Sequence, residues 1–404
     1  MAYDRDIIIF GGGIAGLFTA ARLRRAGYDV AVIEKDALGG VQTLASQGMI
    51  HGGQKYTLTG KATGAATAAA AMPERWEACF SGTGELDLSA VKKLSGRQVM
   101  FPAGSFFANL VSRLTVFAAA KAVNGKTRKL PRSGFPPPLR RGPVYEMQEC
   151  VLDVKSLITA LAGLLDGRIF KGEPTALSAD GRVTTGEKAF RAKMIIFAGG
   201  AGNETALKLL GVGARRTQRR PLRQIMVRPM PQALFGHGIA AGPKPRVTIT
   251  SHPAHAGGTS HPAHAGGTSH PDGAEHYIWY LGGNIAERGA KMTNDDAIAF
   301  AQREMCAIFP TIDWRGKEWA SHAVDRAEAF SDGAELAAGP RLQKYGNVLL
   351  VWPTKLTFAP SMADLVLAQL EKDDISPSSG TAAHDLPPVA MGRYPWEDAQ
   401  WRKI

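Results

Sequence analysis

No run in this sequence is apolar enough to cross a bilayer, which takes about 20 consecutive apolar residues. Residues 7–23 come closest, but they contain three consecutive glycines. Asp4 and Asp6 lie where a secretory signal would be basic or apolar, so we expect no signal peptide. These absences predict a soluble cytoplasmic protein, with the inner face of the membrane left open as a second location.

Cysteine is also scarce. Cys79, Cys150 and Cys306 are odd in number and widely spaced, which excludes a disulfide framework or a zinc motif and indicates a reducing compartment. With 404 residues, 45% hydrophobic and 21% charged, the chain has the composition of a soluble globular protein. Its length predicts two domains.

Acidic residues are missing from two long regions. Residues 88–145 contain eleven Lys and Arg and residues 205–271 contain nine, with no Asp or Glu in either. The net charge is +12, so the rest of the chain carries +12 minus 20, or −8. Clustered positive charge attracts anions, which leaves open a small anionic substrate, an anionic membrane surface, nucleic acid, or two merely solvated basic faces.

The sequence does contain a strand, glycine loop, helix and second strand over residues 6–34. Gly11, Gly13 and Gly16 have the Gly-x-Gly-x-x-Gly spacing, and the following helix is predicted over residues 14–26. Glycines let a diphosphate approach backbone N–H groups at the positive end of that helix. The unit therefore predicts a dinucleotide site, with Glu34 at the tip of the second strand accepting hydrogen bonds from the adenosine ribose.

The rest of the chain alternates short strands with helices. Helical spacing predicts helices over residues 151–166, 204–210 and 294–309. Strands are predicted over residues 168–171, 176–178, 182–184, 189–191, 193–197, 224–228, 246–250 and 276–282. The strand at 193–197 runs into Ala198 and Gly199, a second junction of the kind that lies beside a nucleotide.

A nonapeptide repeat lies between the last two of these strands. Residues 251–259 and 260–268 are identical, and Ser269-His270-Pro271 begins a third copy. Its histidines could bind a metal: His252, His255, His261, His264 and His270. Proline and glycine at this density instead favour an expanded loop of a β-hairpin, and we expect no metal there.

Three segments of the chain carry a family resemblance. The first is the glycine loop with Glu34. The second, residues 46–56, is similar to an Ile-His-Gly-Gly-Leu-Arg-Tyr segment, and the third, residues 353–357 with the helix after it, to a Gly-Gly-Lys-Leu-Thr-Thr-Tyr segment. With these segments the chain resembles the FAD-dependent oxidoreductases of the D-amino-acid oxidase superfamily, leaning towards the glycerol-3-phosphate dehydrogenase branch.

The resemblance implies an α/β fold, with a Rossmann-type FAD-binding domain and an inserted β-rich α+β substrate domain. It places residues 1–75, 146–214 and 322–375 in the FAD-binding domain. Residues 76–145 and 215–321 form the substrate domain. The proline-rich residues 376–404 form a C-terminal extension that we expect to wrap the surface.

The implied cofactor is FAD, held without a covalent link. The residues assigned to it are Gly11, Gly13, Ile14, Ala15, Gly16, Glu34, Lys35, Thr43, Ser46, Gln47, Ala198, Gly199, Lys355, Leu356 and Thr357. Ser361 and Asp364 have capping-box spacing, which predicts a helix beginning near Ser361. In the family, the loop at 355–357 passes under the flavin pyrimidine, where N–H groups and the helix end stabilise negative charge.

Three residues are implied in catalysis. His51, as a neutral imidazole near the flavin, would accept a substrate proton, although it could instead be structural. Lys55 and Arg326 are candidate anchors for a substrate anion, Arg326 by two-point binding or else as an ordinary ion-pair residue. Trp352 and Pro353 stand in place of the branch's glycines, a change that bears on how the flavin is approached. Gln54-Lys55 replaces the branch's Leu-Arg, which weakens the match to glycerol 3-phosphate.

The predicted reaction is hydride transfer to flavin N5 from a C–H next to a hydroxyl or amine of a small anionic substrate. Electrons then pass to a quinone, a carrier protein or oxygen. A basic flavoprotein acting on RNA is one alternative, disfavoured because basic and aromatic residues are not interleaved for base stacking. A peripheral membrane, quinone-linked dehydrogenase is another, in which the helical face of residues 106–123 would contact lipid unless it packs in the core.

Overall fold

The computed structural model describes residues 4–52, 69–104, 127–130, 143–213, 217–240, 244–254, 276–330, 339–378 and 386–403. The strands are β1 Arg5–Phe10, β2 Val30–Glu34, β3 Lys93–Ser95, β4 Gln98–Pro102, β5 Thr127–Leu130, β6 Val144–Met147, β7 Val151–Leu152, β8 Ile169–Lys171, β9 Pro174–Leu177, β10 Arg182–Thr185, β11 Lys188–Phe197, β12 Thr217–Met230, β13 Gly236–Ile239, β14 Val247–Pro253, β15 Tyr277–Gly282, β16 Glu318–Ala329, β17 Arg341–Tyr345, β18 Val348–Trp352 and β19 Arg402–Lys403. The helices are α1 Ile14–Arg25, α2 Met72–Phe80, α3 Val154–Gly163, α4 Asn203–Leu209, α5 Asn284–Gly289, α6 Asn294–Ile308 and α7 Ala359–Lys372, with 3-10 turns at Gly200–Gly202 and Leu356–Phe358.

The first sheet has the order β17-β18-β11-β1-β2-β8, and its strands from β18 to β8 are parallel. Helices α1, α3 and α7 pack on one face, and α4 with the β9–β10 hairpin on the other. Ile7, Ile8 and Ile9 of β1 are fully buried because both faces of a parallel sheet are covered. This β1–α1–β2 unit confirms the predicted Rossmann-type domain.

The second sheet is β19-β16-β12-β15-β14-β13-β4-β6-β5, antiparallel except for the β13–β4 pair. Helix α6 packs on one face, over Trp279 and Trp319. Strand β16 belongs to this sheet along its whole length because it pairs with β12 from Glu318 to Ala329. The predicted domain boundary at 322 therefore cuts through a strand, and Arg326 lies in the substrate sheet.

Three further predictions need correction. Helix α2 packs in the core of the first sheet, where Trp76 contacts Phe18 at 5.3 Å between ring centroids, although residues after 75 were predicted in the substrate domain. The helix predicted from 151 begins at Val154, because residues 151–152 pair with β3. Helix α7 begins at Ala359, before Ser361.

The capping box at Ser361 is therefore wrong. The Asp364 carboxylate does not cap the helix but accepts hydrogen bonds from Arg75 at 2.5 and 2.8 Å. Arg75 also donates to Glu85 at 2.5 Å, so these charged groups join α2 to α7. Pro360, in the first turn of α7, needs no N–H acceptor and suits a helix start.

Residues 386–403, here called the C-terminal strap, cross from the first sheet to the second. The strap begins at the first sheet, where Leu38 N donates to Ala390 O at 2.9 Å. Its Trp396 ring then lies 4.0 Å from His252, and its last residues form β19, paired with β16. The strap thus ties the two sheets together rather than only wrapping the surface.

No helix in the described ranges is long and apolar enough to cross a membrane. The segment predicted as a lipid-facing helix, residues 106–123, lies outside those ranges. Residues 255–275, which include most of the nonapeptide repeat, lie outside them as well.

Candidate active site

A cavity of about 1400 Å³ opens between the two sheets. It lies at the carboxyl ends of β1, β2 and β11, where ligands bind in doubly wound folds. A pocket for a drug-sized ligand holds roughly 300–1,000 Å³, so this cavity has room for a larger ligand or for two. The C-terminal strap and strands β12 and β16 complete its walls.

The glycine loop is shaped by close backbone contacts. Gly11 has φ +116°, and a Cβ there would lie 2.7 Å from the Ala198 carbonyl. A Cβ on Gly16 would lie 1.9 Å from the Gly11 carbonyl oxygen. Only glycine fits at either position, so β1 can end against β11 and turn directly into α1.

The start of α1 faces the cavity without an acidic residue in its first turn. Gly13, its N-cap, offers no side chain, and the N–H groups of Ala15 and Gly16 have no acceptor within the helix. Thr43 Oγ1 accepts from Ile14 N at 3.1 Å. Open N–H groups at a positive helix end suit an anion, so these residues fit the diphosphate of a dinucleotide.

Glu34 stands at the tip of β2, as the sequence predicts. Its carboxylate accepts from Gly12 N at 2.5 Å and from Asp36 N at 2.9 Å, so it also holds the glycine loop. Lys35 pairs with Glu173 at 2.7 Å at the exposed rim. Glu34 and Lys35 both line the cavity, and their contact with the adenosine part of the cofactor remains a prediction.

The segments around His51 and Thr357 meet at another wall. Thr357 Oγ1 donates to His51 O at 3.5 Å, and Trp76 Nε1 donates to Thr357 O at 2.9 Å. Thr354, just before Lys355, has φ +62°, a left-handed conformation that glycine adopts more easily. The turn before residues 355–357 is thus made by a threonine in a conformation that favours glycine.

Gln47 joins the loop after β2 to the substrate sheet. Its Nε2 donates to Thr248 O at 3.2 Å and to Tyr280 O at 3.0 Å. A Cβ on Gly282 would lie 2.4 Å from Gln47 Oε1, so the two sheets approach closely here. Ser46 Oγ accepts from Gly48 N at 3.4 Å. Both residues line the cavity, but these bonds give them a structural role beside the predicted contact with the cofactor.

Arg326 lies on β16 and lines the cavity. Its guanidinium is 3.8 Å from Glu287 Oε1, and Lys244 pairs with the other oxygen of Glu287. Lys55, the other predicted anchor, lies outside the described residues.

The sequence analysis missed the neighbours of Arg326 on this face. His322 and Val324 are on the same strand at a spacing of two, and Gln224 and Leu222 stand opposite them on β12. The period of two from Arg326 could have pointed to His322 and Val324. Nothing local could have supplied the register with β12.

The second basic region is largely neutralised by ion pairs. Acids from outside that region pair with five of its cations in the described part of the chain: Arg219–Glu204, Arg220–Glu328, Arg228–Glu318, Lys244–Glu287 and Arg246–Glu304. A surface that binds nucleic acid uses its cations on phosphates, so this pairing argues against the RNA alternative.

The sequence and the fold match a known family. A family model described as FAD dependent oxidoreductase (DAO) matches residues 6–367. The chain belongs to this family. FAD is therefore the cofactor of this oxidoreductase, in agreement with the open helix end and the glycine loop.

This oxidoreductase is 40% identical over 408 residues to the probable FAD-dependent oxidoreductase PA4991 of Pseudomonas aeruginosa, covering 98% of this chain and 99% of the relative. The crystal structure of PA4991 superposes with a TM-score of 0.79 at 36% identity, over 98% of both chains.

More distant structures show the fold alone. Glycine oxidase from Geobacillus kaustophilus has a TM-score of 0.63 at 15% identity, covering 97% of this chain and 99% of that one. The L-alpha-glycerophosphate oxidase of Mycoplasma pneumoniae has 0.62 at 15%, covering 92% and 95%. The two match equally well, so the likeness does not single out a glycerol-3-phosphate branch.

Proposed function

We propose that this oxidoreductase takes a hydride from a C–H next to a hydroxyl or amine of a small anionic substrate. FAD, when bound, supplies the chemistry by accepting the hydride at N5. The observation that carries the proposal is the position of Arg326, which lies in the wall of the cavity that also contains the glycine loop and residues 355–357. A quinone, a carrier protein or oxygen would take the electrons onward.

Two regions of the chain would bind the two ends of the cofactor. Gly11, Gly13 and the start of α1 would hold the diphosphate, and Glu34 the ribose. The loop of residues 355–357, just ahead of α7, would hold the flavin end through backbone N–H groups and the positive helix end. FAD would be held in both regions without a covalent link to the protein.

Arg326 would bind the substrate anion at two points, since a guanidinium presents paired N–H donors to a carboxylate or phosphate. Lys244 and Arg326 lie on the two carboxylate oxygens of Glu287, so this part of the cavity wall presents two cations close together. Glu287 is on α5, so it also holds the guanidinium in place from outside the strand. Lys55 is the second proposed anchor.

His51 would take the proton of the reacting hydroxyl or amine. It is buried in the cavity wall beside residues 355–357, where a neutral imidazole can accept a proton while the hydride leaves. Burial near the flavin end also excludes water from the reacting atoms.

The experiment begins with anaerobic bleaching of the flavin by a panel of hydroxy acids, amino acids and polyol phosphates. With the substrate found, Arg326→Leu should lower kcat/KM roughly ten- to hundredfold, the loss of a charge-assisted contact of about 1.5–3 kcal/mol. FAD content should not change.

Arg315→Leu is the matched control. Arg315 is 91% exposed and pairs only locally, with Asp313, so its loss should leave kcat/KM unchanged. If Arg326→Leu bleaches its flavin at the normal rate, Arg326 is an ordinary ion-pair residue. The anion must then be bound elsewhere, first of all at Lys55.

A further inference from the structure

One face of the β12–β16 pair forms a graded wall of the cavity. Going along β16 from Arg326, Val324 stands opposite Leu222, and His322 stands opposite Gln224. At about 3.3 Å per residue, the Cα atoms of Arg326 and His322 are roughly 13 Å apart. A charged position, an apolar row and a neutral polar row therefore follow one another along this wall.

The polar row, Gln224 and His322, contains hydrogen-bonding groups that have no partner in the described part of the chain. The side chain of Gln224 is more than nine-tenths buried, and its Oε1 accepts from the Tyr280 hydroxyl, but its NH₂ has no partner among the described residues. The His322 imidazole likewise has none in the described part of the chain. Gln224 is buried and His322 half-buried, and both line the cavity, so their hydrogen-bonding atoms are open to a ligand there.

The row is also uncharged. Burial lowers the pKa of the His322 imidazole, which keeps it neutral near pH 7, and a carboxamide carries no charge. Interactions with neutral groups do not offset the free-energy cost of removing an anion from water. They suit a hydroxyl, carboxamide or carbonyl, each of which can accept a hydrogen bond from the Gln224 NH₂.

The strap closes this end of the cavity. Beyond the polar row, Met226 and Ala320 pack against Trp396 and Ala399 of the strap. The wall therefore has a defined length, from the arginine at one end to an aromatic and aliphatic stop at the other.

We propose that His322 and Gln224 form a specificity subsite for the uncharged polar end of the substrate, whose acid group lies at Arg326. The substrate class is then an acid that carries a hydroxyl, carboxamide or carbonyl several carbons away from the anion. This inference rests on the proposed function, because it takes Arg326 as the anchor.

The test uses the FAD-loaded protein and follows ligand binding by the change in flavin absorbance. The probes are glutaramate and its apolar isostere 5-methylhexanoate, with succinamate and adipamate to vary the length. One of the amides should bind roughly 2- to 12-fold more tightly than its isostere, the effect of one neutral hydrogen bond.

His322→Leu and Gln224→Met should each bring that ratio close to one while leaving the affinity for 5-methylhexanoate within about twofold. His322→Asn, which keeps a polar group at the position, should restore part of the preference. Gln224→Met leaves Tyr280 satisfied, because the single hydroxyl hydrogen can then be donated to Ala45 O, which lies at 2.9 Å. Val324→Ala is the matched control on the same strand and should keep the preference.

Arg326→Leu separates the two proposals. If it weakens every carboxylate but His322→Leu keeps the amide preference, the subsite is wrong and the anchor stands. If Arg326→Leu changes no affinity, the proposed function itself fails. If His322→Leu loses FAD or shifts the flavin spectrum without any ligand, the pair contacts the cofactor, and the subsite proposal is overturned.

Discussion

Deleting residues 251–268 should leave a folded, FAD-binding protein, although the deletion removes part of a strand. Ser251, His252 and Pro253 belong to β14 and pair with Trp279, Ile278 and Tyr277 of β15. The prediction that the repeat is only a loop is therefore wrong at its first three residues. The deletion, however, joins Ser269-His270-Pro271 directly to Thr250, so the same three residues fill the same strand positions.

The buried contacts of Ser251 and His252 explain why the same residue types must fill these positions. Ser251 Oγ accepts from Leu234 N at 2.7 Å and donates to Leu234 O at 2.9 Å. His252 is buried against Trp396, and burial lowers its pKa to about 3, so it stays neutral. In the deletion variant the third repeat supplies both side chains unchanged.

The expected change in the free energy of unfolding comes from the shorter connection between β14 and β15. Between Ala254 and His276 there are 21 residues, and after the deletion 3 remain between the equivalent positions. Closing a loop costs about (3/2)RT ln n, so the sevenfold shortening should stabilise the fold by about 1.7 kcal/mol for a flexible chain. Three-residue connections containing glycine, such as Gly273-Ala274-Glu275, are common in hairpins.

The assay measures soluble yield, FAD absorbance and the urea midpoint against the full chain. The control is the deletion of residues 251–271, which leaves only residues 272–275 between Thr250 and His276, too few both to replace Ser251, His252 and Pro253 and to close the hairpin. It should lose about 1–3 kcal/mol from the two Ser251 hydrogen bonds, and more from the strand pairs of β14 that it removes. Loss of soluble protein or of FAD in the shorter deletion, or a stoichiometric metal in the full chain, would refute the reasoning.

Two further predictions concern the first sheet. Gly13→Val should yield protein without FAD, because a Cβ at Gly13 would already lie 3.1 Å from Thr43 Oγ1 and the branched side chain would fill the diphosphate's place; full flavin absorbance in the variant would contradict this. Asp6→Asn should lower the urea midpoint at pH 7 by the equivalent of about 1.5–3 kcal/mol. Burial acts to raise the pKa of Asp6, but hydrogen bonds from Lys193 and Ser378 bring it below its ordinary value. A lowered pKa gives stability above about pH 4 that is lost as the pH falls, so the difference between Asp6→Asn and the unchanged chain should shrink between pH 5 and pH 3; a constant difference would show that charge plays no part.

The sequence alone determined the dinucleotide-binding unit. Its strand, glycine loop, helix and acid are contiguous, and each follows from a local rule: apolar runs, glycine conformation and helix polarity. The structure confirms α1, β1 and β2 within about one residue, and Gly27 ends α1 with φ +94°. A dinucleotide site follows from this unit, because the phosphate-binding part lies within some thirty residues, whereas FAD in particular follows from the family.

The set of residues that the second sheet brings to the cavity was decided by the tertiary structure. Gln224 stands opposite His322, 98 positions further along the chain, only because β12 and β16 pair in one particular register, and a period of two says nothing about which partner stands opposite. The same holds for the strap, whose Trp396 reaches His252 across the molecule. Local patterns specify what a segment forms and which face it buries. Which chemical groups share a cavity depends on long-range packing, so the proposed substrate contacts could be found only in the tertiary structure.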